Sequence, residues 1–439
     1  MPYSDMPLSI MDAVELAAKN AKEASYRLQS LSQAVRNEAL QEIASALSDN
    51  ADIIIDANEA DLREGEKAGL GKVLLKRLRY DRSKIDESVE SLRSLIKQED
   101  PIGEVVSRME LDHGLILERT TCPIGVIGVI FESRPEALVQ ISSLCLKSGN
   151  AVILKGGSEA HHTNETLAKV IVKAVVDVDQ RFEGAVQLLS TREEVNKLLA
   201  MDQYVDLIIP RGSNQLVKFI QSHTKIPVLG HADGICHTYV DEKADLEMAL
   251  RVCLDSKIQY PAVCNAMETL LVHENVALSF LPAMAELYGR AGVELRGDAS
   301  ARSIVEMNEA TDDDWTKEYN DLVLSVKVVS SLDEAIAHIN RYGSHHTDAI
   351  ITNDERSARH FMDEVDSSSV MWNCSTRFAD GYRYGLGAEV GISTNKTHAR
   401  GPVGLEGLTI YKYRLNGSGQ IVADYSGEKG RSFTHRKLL

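Results

Sequence analysis

The most reactive side chain that the sequence offers is the thiol of Cys264, in the stretch Tyr260–Ala266 (YPAVCNA). A helical pattern precedes this stretch at 246–257, and an apolar strand pattern follows it at 269–272. Because loops on a rigid scaffold carry chemistry more often than element interiors do, the thiol could act as a nucleophile. Free cysteine also packs as a small buried hydrophobe. The loop taken alone leaves both interpretations open.

Two strand ends carry turns that could hold an anion. The turn Lys155–Ser158 (KGGS) follows the apolar run 151–155, and the turn Arg211–Ser213 (RGS) follows the apolar run 205–209. Backbone N–H groups and the helix dipole favour anions at such turns, and Lys155 adds a positive charge. Either turn alone is equally consistent with a tight strand-to-helix connection. Two of them on one parallel sheet suit a dinucleotide better than either does alone.

A third strand end carries Arg134, directly after the apolar run 126–131. Its guanidinium could fork onto a phosphate or a carboxylate. It could equally be a surface arginine paired with Glu132 or Glu136.

The densest cationic stretch of this acidic chain is 395–401 (NKTHARG), which contributes Lys396, His398 and Arg400. It could clamp an anion, or it could be a solvated loop. The doublet His345-His346 has no carboxylate or cysteine at ligand spacing, so the sequence predicts no metal site.

Strand and helix patterns alternate around these residues. Residues 8–98 have helical spacing, and short apolar strands then alternate with helices up to 229, which predicts a mostly parallel sheet with helices on both faces. Ligands bind at the carboxyl ends of the strands in such sheets. The strands of this first region are predicted at 115–121, 126–131, 151–155, 186–189, 205–209 and 227–229, and the helices at 134–147, 162–178, 193–201 and 213–222.

A second α/β region is predicted from about 235 to 407. Its last part, 376–407, lacks periodicity and is long for a loop, which is typical of functional or disordered segments. One more strand is predicted at 408–413, and the polar tail 416–439 is predicted to be a surface arm. The strands of the second region are predicted at 237–240, 270–273, 322–329 and 349–352, and its helices at 246–257 and 332–340.

Size and charge limit the class of protein. With 439 residues the chain can form two or three domains. Its formal net charge of −17 argues against nucleic acid and anionic membranes as partners. We expect neither a signal peptide nor a membrane span, because no basic leader and no apolar run of sufficient length is present. The six scattered cysteines are typical of reduced thiols in a cytoplasmic protein.

Five strings, in the same order, resemble the gamma-glutamyl phosphate reductase family, a branch of the aldehyde dehydrogenase superfamily. The resemblance runs from about residue 8 to residue 413, and its strings together are highly specific. They are 129–135 (VIFESRP), 154–160 (LKGGSEA), 210–213 (PRGS), 260–266 (YPAVCNA) and 387–394 (GAEVGIST).

The resemblance implies an α/β fold of the aldehyde dehydrogenase type. A Rossmann-type cofactor-binding domain would comprise 1–106 and 122–233, and an α/β catalytic domain would comprise 234–407. A small β oligomerisation element with the tail would comprise 107–121 and 408–439. The family also implies a homo-oligomer, a dimer or higher, and a contact with glutamate 5-kinase, which makes the substrate.

The resemblance also implies roles for individual residues. Cys264 matches the nucleophile, and Lys155 matches the lysine at the adenosine ribose. Gly212 and Ser213 match the pyrophosphate turn, and Glu318 aligns with the glutamate at the nicotinamide ribose. Ser133 falls where hydrolytic aldehyde dehydrogenases carry the asparagine of the oxyanion hole. Arg134, Lys396, His398 and Arg400 stay candidates for the substrate phosphate or carboxylate, on charge alone.

Two departures from the wider superfamily bear on the reaction. Ser158 stands where enzymes that bind NAD often carry a glutamate, which favours NADPH, although Glu159 lies next to it. The stretch 229–234 (LGHADG) lacks the glutamate that activates water in hydrolytic enzymes. The expected reaction is therefore NADPH-dependent reduction of L-glutamyl 5-phosphate to L-glutamate 5-semialdehyde, in proline biosynthesis. The alternative is a hydrolytic NAD(P)-dependent semialdehyde dehydrogenase.

Overall fold

The computed structural model of the protein describes residues 10–132, 134–428 and 430–439. The α-helices in these ranges are α1 (Ile10–Leu28), α2 (Gln33–Asp49), α3 (Ala51–Lys67), α4 (Lys72–Leu78), α5 (Arg82–Ile96), α6 (Pro135–Lys147), α7 (His161–Val178), α8 (Arg192–Leu198), α9 (Asn214–His223), α10 (Leu246–Ile258), α11 (Glu274–Arg290), α12 (Ala299–Ile304), α13 (Leu332–Tyr342) and α14 (Glu355–Glu364). The strands are β1 (Val105–Asp112), β2 (Leu115–Pro123), β3 (Val126–Phe131), β4 (Ala151–Lys155), β5 (Val186–Leu189), β6 (Leu207–Arg211), β7 (Cys236–Val240), β8 (Met267–His273), β9 (Glu294–Gly297), β10 (Asn308–Glu309), β11 (Val323–Val329), β12 (Thr347–Ile351), β13 (Ser369–Trp372), β14 (Gly391–Ser393), β15 (Gly401–Val403), β16 (Thr409–Asn416) and β17 (Arg436–Lys437).

These elements form two compact units. The first takes in the described residues up to Leu229 together with Gly387–Gly391 and Val403–Leu439, and the second takes in Gly230–Leu386 and Ile392–Pro402. The second unit thus lacks two pieces of the predicted catalytic segment 234–407. The roles assigned to the domains stay predictions. No helix of the described ranges is long and apolar enough to cross a membrane.

The first unit contains a four-stranded parallel sheet in the order β5-β4-β3-β6. Strands β3 and β4 are buried along their whole length, as their runs of Val, Ile and Leu predict for a sheet covered on both faces. Strand β6 begins two residues later than predicted and ends at Arg211. The predicted strand at 227–229 is reduced to a single bridge between Val228 and Ile208.

A four-stranded sheet of the first unit, joined by antiparallel pairs, has the order β16-β2-β1-β17. The residue pattern did not predict β1, none of whose residues is fully buried, whereas the resemblance implied a β element over 107–121. The tail is mostly exposed, as predicted for a surface arm, but it returns to the sheet through β17, where Lys437 pairs with Met109.

The second unit is built on a seven-stranded parallel sheet in the order β10-β9-β11-β8-β7-β12-β13. Its central strands β7, β8 and β12 are fully buried. One core packs α10, α11 and β8 around Phe280, Met284 and Tyr288. A second core packs Tyr239 and Leu271 against Ile336 and Phe361. The sequence predicted the central strands and missed β9, β10 and β13, which are short strands at the edges of the sheet.

Candidate active site

The Cys264 loop connects α10 to β8. Helix α10 begins at an N-cap in which the Asp245 side chain accepts a hydrogen bond from the N–H of Met248. After the helix, the Ala266 N–H donates to the Val263 carbonyl at 3.0 Å, which closes a turn around Cys264. Because β8 is then buried along its whole length, the loop is anchored on both sides, and Cys264 itself stays partly exposed.

Three neighbouring strands bring sulfur and imidazole groups to one edge of the sheet. Cys264 lies just before β8, Cys236 begins β7, and His346 immediately precedes β12. The strands are parallel and adjacent in the order β8-β7-β12, so their amino ends meet at one edge. The site of the second unit is therefore formed at the amino ends of its strands.

Cys264 lies beside two histidines. Its Sγ and one ring nitrogen each of His231 and His346 all lie within 4.8 Å of one another. The two rings meet edge to face with centroids 4.8 Å apart. Nδ1 of His231 lies 2.8 Å from the Ile392 carbonyl oxygen, and Nδ1 of His346 lies 2.9 Å from Thr347 Oγ1. In the described part of the chain, Nε2 of His346 is buried and has no hydrogen-bond partner.

The backbone of Cys264 is held by two neighbours. The Cys236 thiol donates to the Cys264 carbonyl oxygen at 3.1 Å, and burial holds the pKa of Cys236 well above its usual range, so that it keeps its proton. A Cβ at Gly234 would lie 2.5 Å from the Cα of Cys264, which real atoms do not tolerate. Only glycine therefore fits at position 234.

A buried cation acts on the same thiol. Arg377 lies in the short 3₁₀ turn Thr376–Phe378 and donates from Nε to Gln259 Oε1 at 2.9 Å. Burial lowers the pKa of this guanidinium, and the electrostatic interaction with Cys264 partly opposes that effect. A positive charge at this place can stabilise a thiolate.

A buried ion pair lies behind the loop. Lys257 at the end of α10 and Glu268 in β8 meet at 2.6 Å with both side chains almost completely buried. Burial raises the pKa of Glu268 to about 7 and lowers that of Lys257. Glu268 also accepts from the Asn320 N–H at 3.1 Å, and the negative charge of Glu318 helps to raise its pKa. The predicted cofactor residue Glu318 thus lies near the cysteine strand, before β11.

The predicted cationic clamp is tied to one carboxylate. Lys396 Nζ lies 2.7 Å from Oδ2 of Asp366, and Arg400 lies 3.1 Å from its Oδ1. The hydrogen bond from Lys396 is the largest of the effects that lower the pKa of Asp366. The third member, His398, is exposed. Because Asp366 offsets part of this charge, anion binding at the segment stays a prediction.

The remaining predicted residues lie in the first unit. Lys155 is buried at the carboxyl end of β4, and Ser158 is exposed after the turn. Arg134 is exposed at the start of α6, and its charge lowers the pKa of Glu136 against the larger effect of burial. Ser133, the predicted oxyanion-hole position, lies outside the described residues.

Carboxylates of the chain itself lie at both turns that were predicted to bind an anion, 155–158 and 211–213. The Ser213 N–H donates to Oε2 of Glu132 at 3.0 Å, and a Cβ at Gly212 would lie 2.7 Å from the same oxygen. At the other turn, a Cβ at Gly157 would overlap the carboxylate of Glu159. The chain's own Glu132 therefore already takes a backbone donor of the turn at 211–213, and Glu159 lies against the turn at 155–158. Anion binding at both turns stays a prediction.

Sequence reasoning missed the groups that surround the cysteine. His231 stands in 229–234, which was considered only for its missing glutamate, and His346 was considered only in a local metal pattern. Cys264 lies 33 positions after His231 and 82 positions before His346, so no local spacing could indicate these contacts. Gly234 and Arg377 carry no sequence signal of their own.

Comparisons with known proteins agree with one another on the family and the fold of the chain. The aldehyde dehydrogenase family model matches residues 2–299. A gamma-glutamyl phosphate reductase from Methanosarcina mazei is 56% identical over 435 residues, covering 97% of each chain. The crystal structure of a gamma-glutamyl phosphate reductase from Thermotoga maritima superposes with a TM-score of 0.91 at 39% identity, covering 93% of this chain and 99% of that one. A glyceraldehyde-3-phosphate dehydrogenase from Methanocaldococcus jannaschii, solved with NADP, has the same fold, with a TM-score of 0.65 at 16% identity, covering 95% of this chain and 97% of the other.

Proposed function

The chain belongs to the gamma-glutamyl phosphate reductase family within the aldehyde dehydrogenases, and we propose how its residues reduce L-glutamyl 5-phosphate to L-glutamate 5-semialdehyde and phosphate. It is an oxidoreductase of proline biosynthesis with the predicted aldehyde dehydrogenase-like α/β fold. The proposal rests on one observation, the grouping of Cys264 with two imidazoles at the amino edge of the second sheet.

The first step is the activation of the Cys264 thiol. A free thiol is only a few per cent thiolate at pH 7, so the proton needs an acceptor. Either neighbouring imidazole, His346 or His231, can take it, since Sγ and the ring nitrogens lie within 4.8 Å. Arg377 stabilises the negative sulfur. Gly234 and Cys236 hold the loop so that the sulfur keeps its direction.

The Cys264 thiolate then attacks the acyl carbon of the substrate. A carbon–sulfur bond forms, the bond to the phosphate oxygen breaks, and inorganic phosphate leaves with the bonding electron pair. The acyl phosphate is already activated, so no strong base is needed beyond the one that takes the thiol proton. The negative charge that develops on the acyl oxygen is held by the Cys264 backbone N–H. Arg134, Lys396, His398 and Arg400 stay candidates for holding the leaving phosphate and the substrate carboxylate.

The family uses a nicotinamide cofactor, and the strand-end turns of the first unit fit one. Gly212 and Ser213 present backbone N–H groups at the turn after β6. A side chain at position 212 would collide with the carboxylate of Glu132. When bound, the reduced nicotinamide supplies the hydride that converts the thioester into the aldehyde. Lys155 would hold the adenosine ribose and Glu318 the nicotinamide ribose. NADPH is the preferred form, because Ser158 offers a hydroxyl to a 2′-phosphate. The related dehydrogenase solved with NADP supports the same choice.

The alternative is a hydrolytic dehydrogenase, in which a carboxylate activates water against the thioester. Glu268, four residues after Cys264, is held by Lys257 and the Asn320 N–H instead. The stretch 229–234 also lacks the glutamate that hydrolytic enzymes use for this task. The reductase therefore remains the better interpretation.

The deciding experiment is the reverse reaction, followed by absorbance. With glutamate 5-semialdehyde as substrate, NADP reduction should require phosphate or arsenate and should be faster than NAD reduction. Cys264→Ala should lower the rate by at least about 10⁴-fold, the scale seen for removal of a covalent nucleophile. Cys122→Ser, a partly exposed thiol in β2, is the matched control and should keep full activity. Phosphate-independent oxidation, or an active Cys264→Ala, would disprove the scheme.

Assembly and location complete the proposal. Strand β16 is an edge strand, and its exposed Tyr411, Tyr413 and Leu415 alternate along one face. Such an edge favours pairing with a second copy of the chain, so we propose a homo-oligomer, measurable by sedimentation velocity.

The six free thiols fit a cytoplasmic location, testable by cell fractionation. We also propose a contact with glutamate 5-kinase, because the acyl phosphate that the kinase makes is labile. An assay that couples the kinase to this enzyme tests the contact when an excess of the inactive Cys264→Ala variant is added as a competitor for the kinase.

A further inference from the structure

The three groups around the reactive sulfur have the composition of a transition-metal site. Cys264 Sγ and the ring nitrogens of His231 and His346 lie within 4.8 Å of one another. One thiolate and two neutral imidazoles are ligands that Zn²⁺ prefers, and three protein ligands leave a fourth position open. We propose that His231, Cys264 and His346 form a reversible inhibitory site for a borderline-soft divalent cation such as Zn²⁺.

The environment of the two rings supports this assignment. A metal-bound histidine usually donates its other N–H to a carbonyl or hydroxyl oxygen, which fixes the ring. His231 has this arrangement with the Ile392 carbonyl, and His346 has it with Thr347 Oγ1. His346 is completely buried, and its Nε2 has no partner among the described residues. A buried nitrogen without a partner is costly, and a metal ion would satisfy it.

The geometry needs only a small adjustment. Zinc bonds of about 2.0 Å to nitrogen and about 2.3 Å to sulfur place tetrahedral ligands roughly 3.5 Å apart. Rotation of the two partly exposed side chains, Cys264 and His231, can close the remaining distance of about 1 Å. The Cys264 thiol releases its proton to solvent as the sulfur–metal bond forms, and no electron is transferred. Cys236 Sγ lies 3.7 Å from His346 Nδ1, but its thiol donates to the Cys264 carbonyl, so we do not count it among the ligands.

Metal binding would block the enzyme at its nucleophile, because a sulfur bound to the cation cannot attack an acyl phosphate. Magnesium should not replace zinc here, since it takes oxygen ligands and an octahedral geometry. The site is a property of the free protein and does not depend on the reductase reaction.

The test uses the full chain without substrate or cofactor. Zn²⁺, or Co²⁺ as a coloured substitute, is titrated in a metal buffer, and iodoacetamide labelling of Cys264 is followed in parallel. We expect one ion per chain, a sulfur-to-cobalt charge-transfer band, and protection of Cys264 that a chelator reverses. Mg²⁺ at the same concentration should give no protection.

Variants separate this site from adventitious binding. His346→Ala and Cys264→Ala should each weaken zinc binding at least about tenfold, because loss of a direct ligand should cost no less than loss of an outer-shell partner. His231→Ala is the second histidine variant, at a partly exposed ring, and it should weaken zinc binding by a similar factor. His113→Ala and Cys122→Ser should bind zinc as the parent does. Unchanged affinity in both histidine variants, or equal loss in the control variants, would overturn the proposal.

Discussion

The two sheet edges that carry functional groups are constructed in opposite ways. In the first unit, the carboxyl ends of β3, β4 and β6 provide glycines and backbone N–H groups. In the second unit, the amino ends of β7, β8 and β12 provide side chains from distant parts of the chain. The first edge follows the general rule for ligand binding in parallel sheets, and the second does not. A site that binds can be formed by backbone, whereas a site that reacts needs converging side chains.

The two edges also differ in charge. In the first unit, the Ser213 N–H is bonded to the carboxylate of Glu132, and the carboxylate of Glu159 lies beside Gly157. The sulfur of the second unit lies within 4.8 Å of two imidazole nitrogens, and the buried guanidinium of Arg377 interacts with it electrostatically. If the cofactor binds at the first edge as proposed, its phosphates must displace a carboxylate of the chain, whereas the second edge already carries groups that suit a developing thiolate.

Apart from loss of Cys264 itself, the largest effect should come from His346. Of the two imidazoles that can take the thiol proton, His346→Gln removes the buried one, so kcat should fall about 10²- to 10³-fold, the usual contribution of general base catalysis. Iodoacetamide labelling of Cys264 should slow in parallel, which a merely structural effect would not produce.

The matched control is His338→Gln, another buried histidine of the second unit that packs against Trp315 and Tyr342. It should keep near-normal kcat and thiol reactivity, measured below the melting temperature of both variants. If His338→Gln and His346→Gln lose activity equally, His346 has only a structural role and the contrast between the two edges fails.

The second-largest effect should come from displacing the Cys264 loop. Gly234→Ala places a methyl group 2.5 Å from the Cys264 Cα, where backbone must move. A shift of about 1 Å at a nucleophile costs roughly 10² in rate, and we expect this loss in kcat/KM. Gly289→Ala is the control, since a Cβ there meets nothing within 4 Å in α11. It should keep full activity and stabilise the protein by about 0.5–1 kcal/mol in chemical unfolding. Normal activity in Gly234→Ala would show that the loop tolerates displacement.

The difference between backbone turns and converging side chains also explains which features the sequence could predict. The buried strands β3 and β4 and the glycine turns after β4 and β6 are local patterns, and their positions were confirmed to within two residues. The resemblance to a family identified Cys264. The histidines at 231 and 346 reach the sulfur only because the strand order β8-β7-β12 joins segments far apart in sequence. The carboxylates at the turns were visible as residues, but their side-chain directions depend on the folded backbone.

At the first edge, Ser158→Glu tests the choice of cofactor. The substitution restores the carboxylate that enzymes using NAD often carry, opposite a 2′-phosphate of like charge. At this exposed position the repulsion should amount to roughly 1 kcal/mol or somewhat more, so affinity for NADPH should fall about tenfold while affinity for NADH changes little. Fluorescence titration of both cofactors measures the ratio. A parallel loss of both affinities would mean that Ser158 supports the turn and does not select the phosphate.

The smallest effect should come from the internal anion itself. Glu132→Gln keeps an oxygen that can accept from the Ser213 N–H but removes the negative charge that a pyrophosphate would meet there. Charges at a helix N-terminus are worth up to about 1 kcal/mol, so NADPH should bind about three- to fivefold more tightly, most clearly at low salt. Glu59→Gln, in an exposed ion pair with Arg63, is the control for the change in net charge and should have no effect. The turnover number kcat should stay the same in both variants, because the proposed chemical step takes place at the sheet edge of the second unit. Weaker NADPH binding in Glu132→Gln would instead mean that this carboxylate keeps the turn in the shape that binds the cofactor. The first edge would then depend on a correctly placed side chain, as the second edge does.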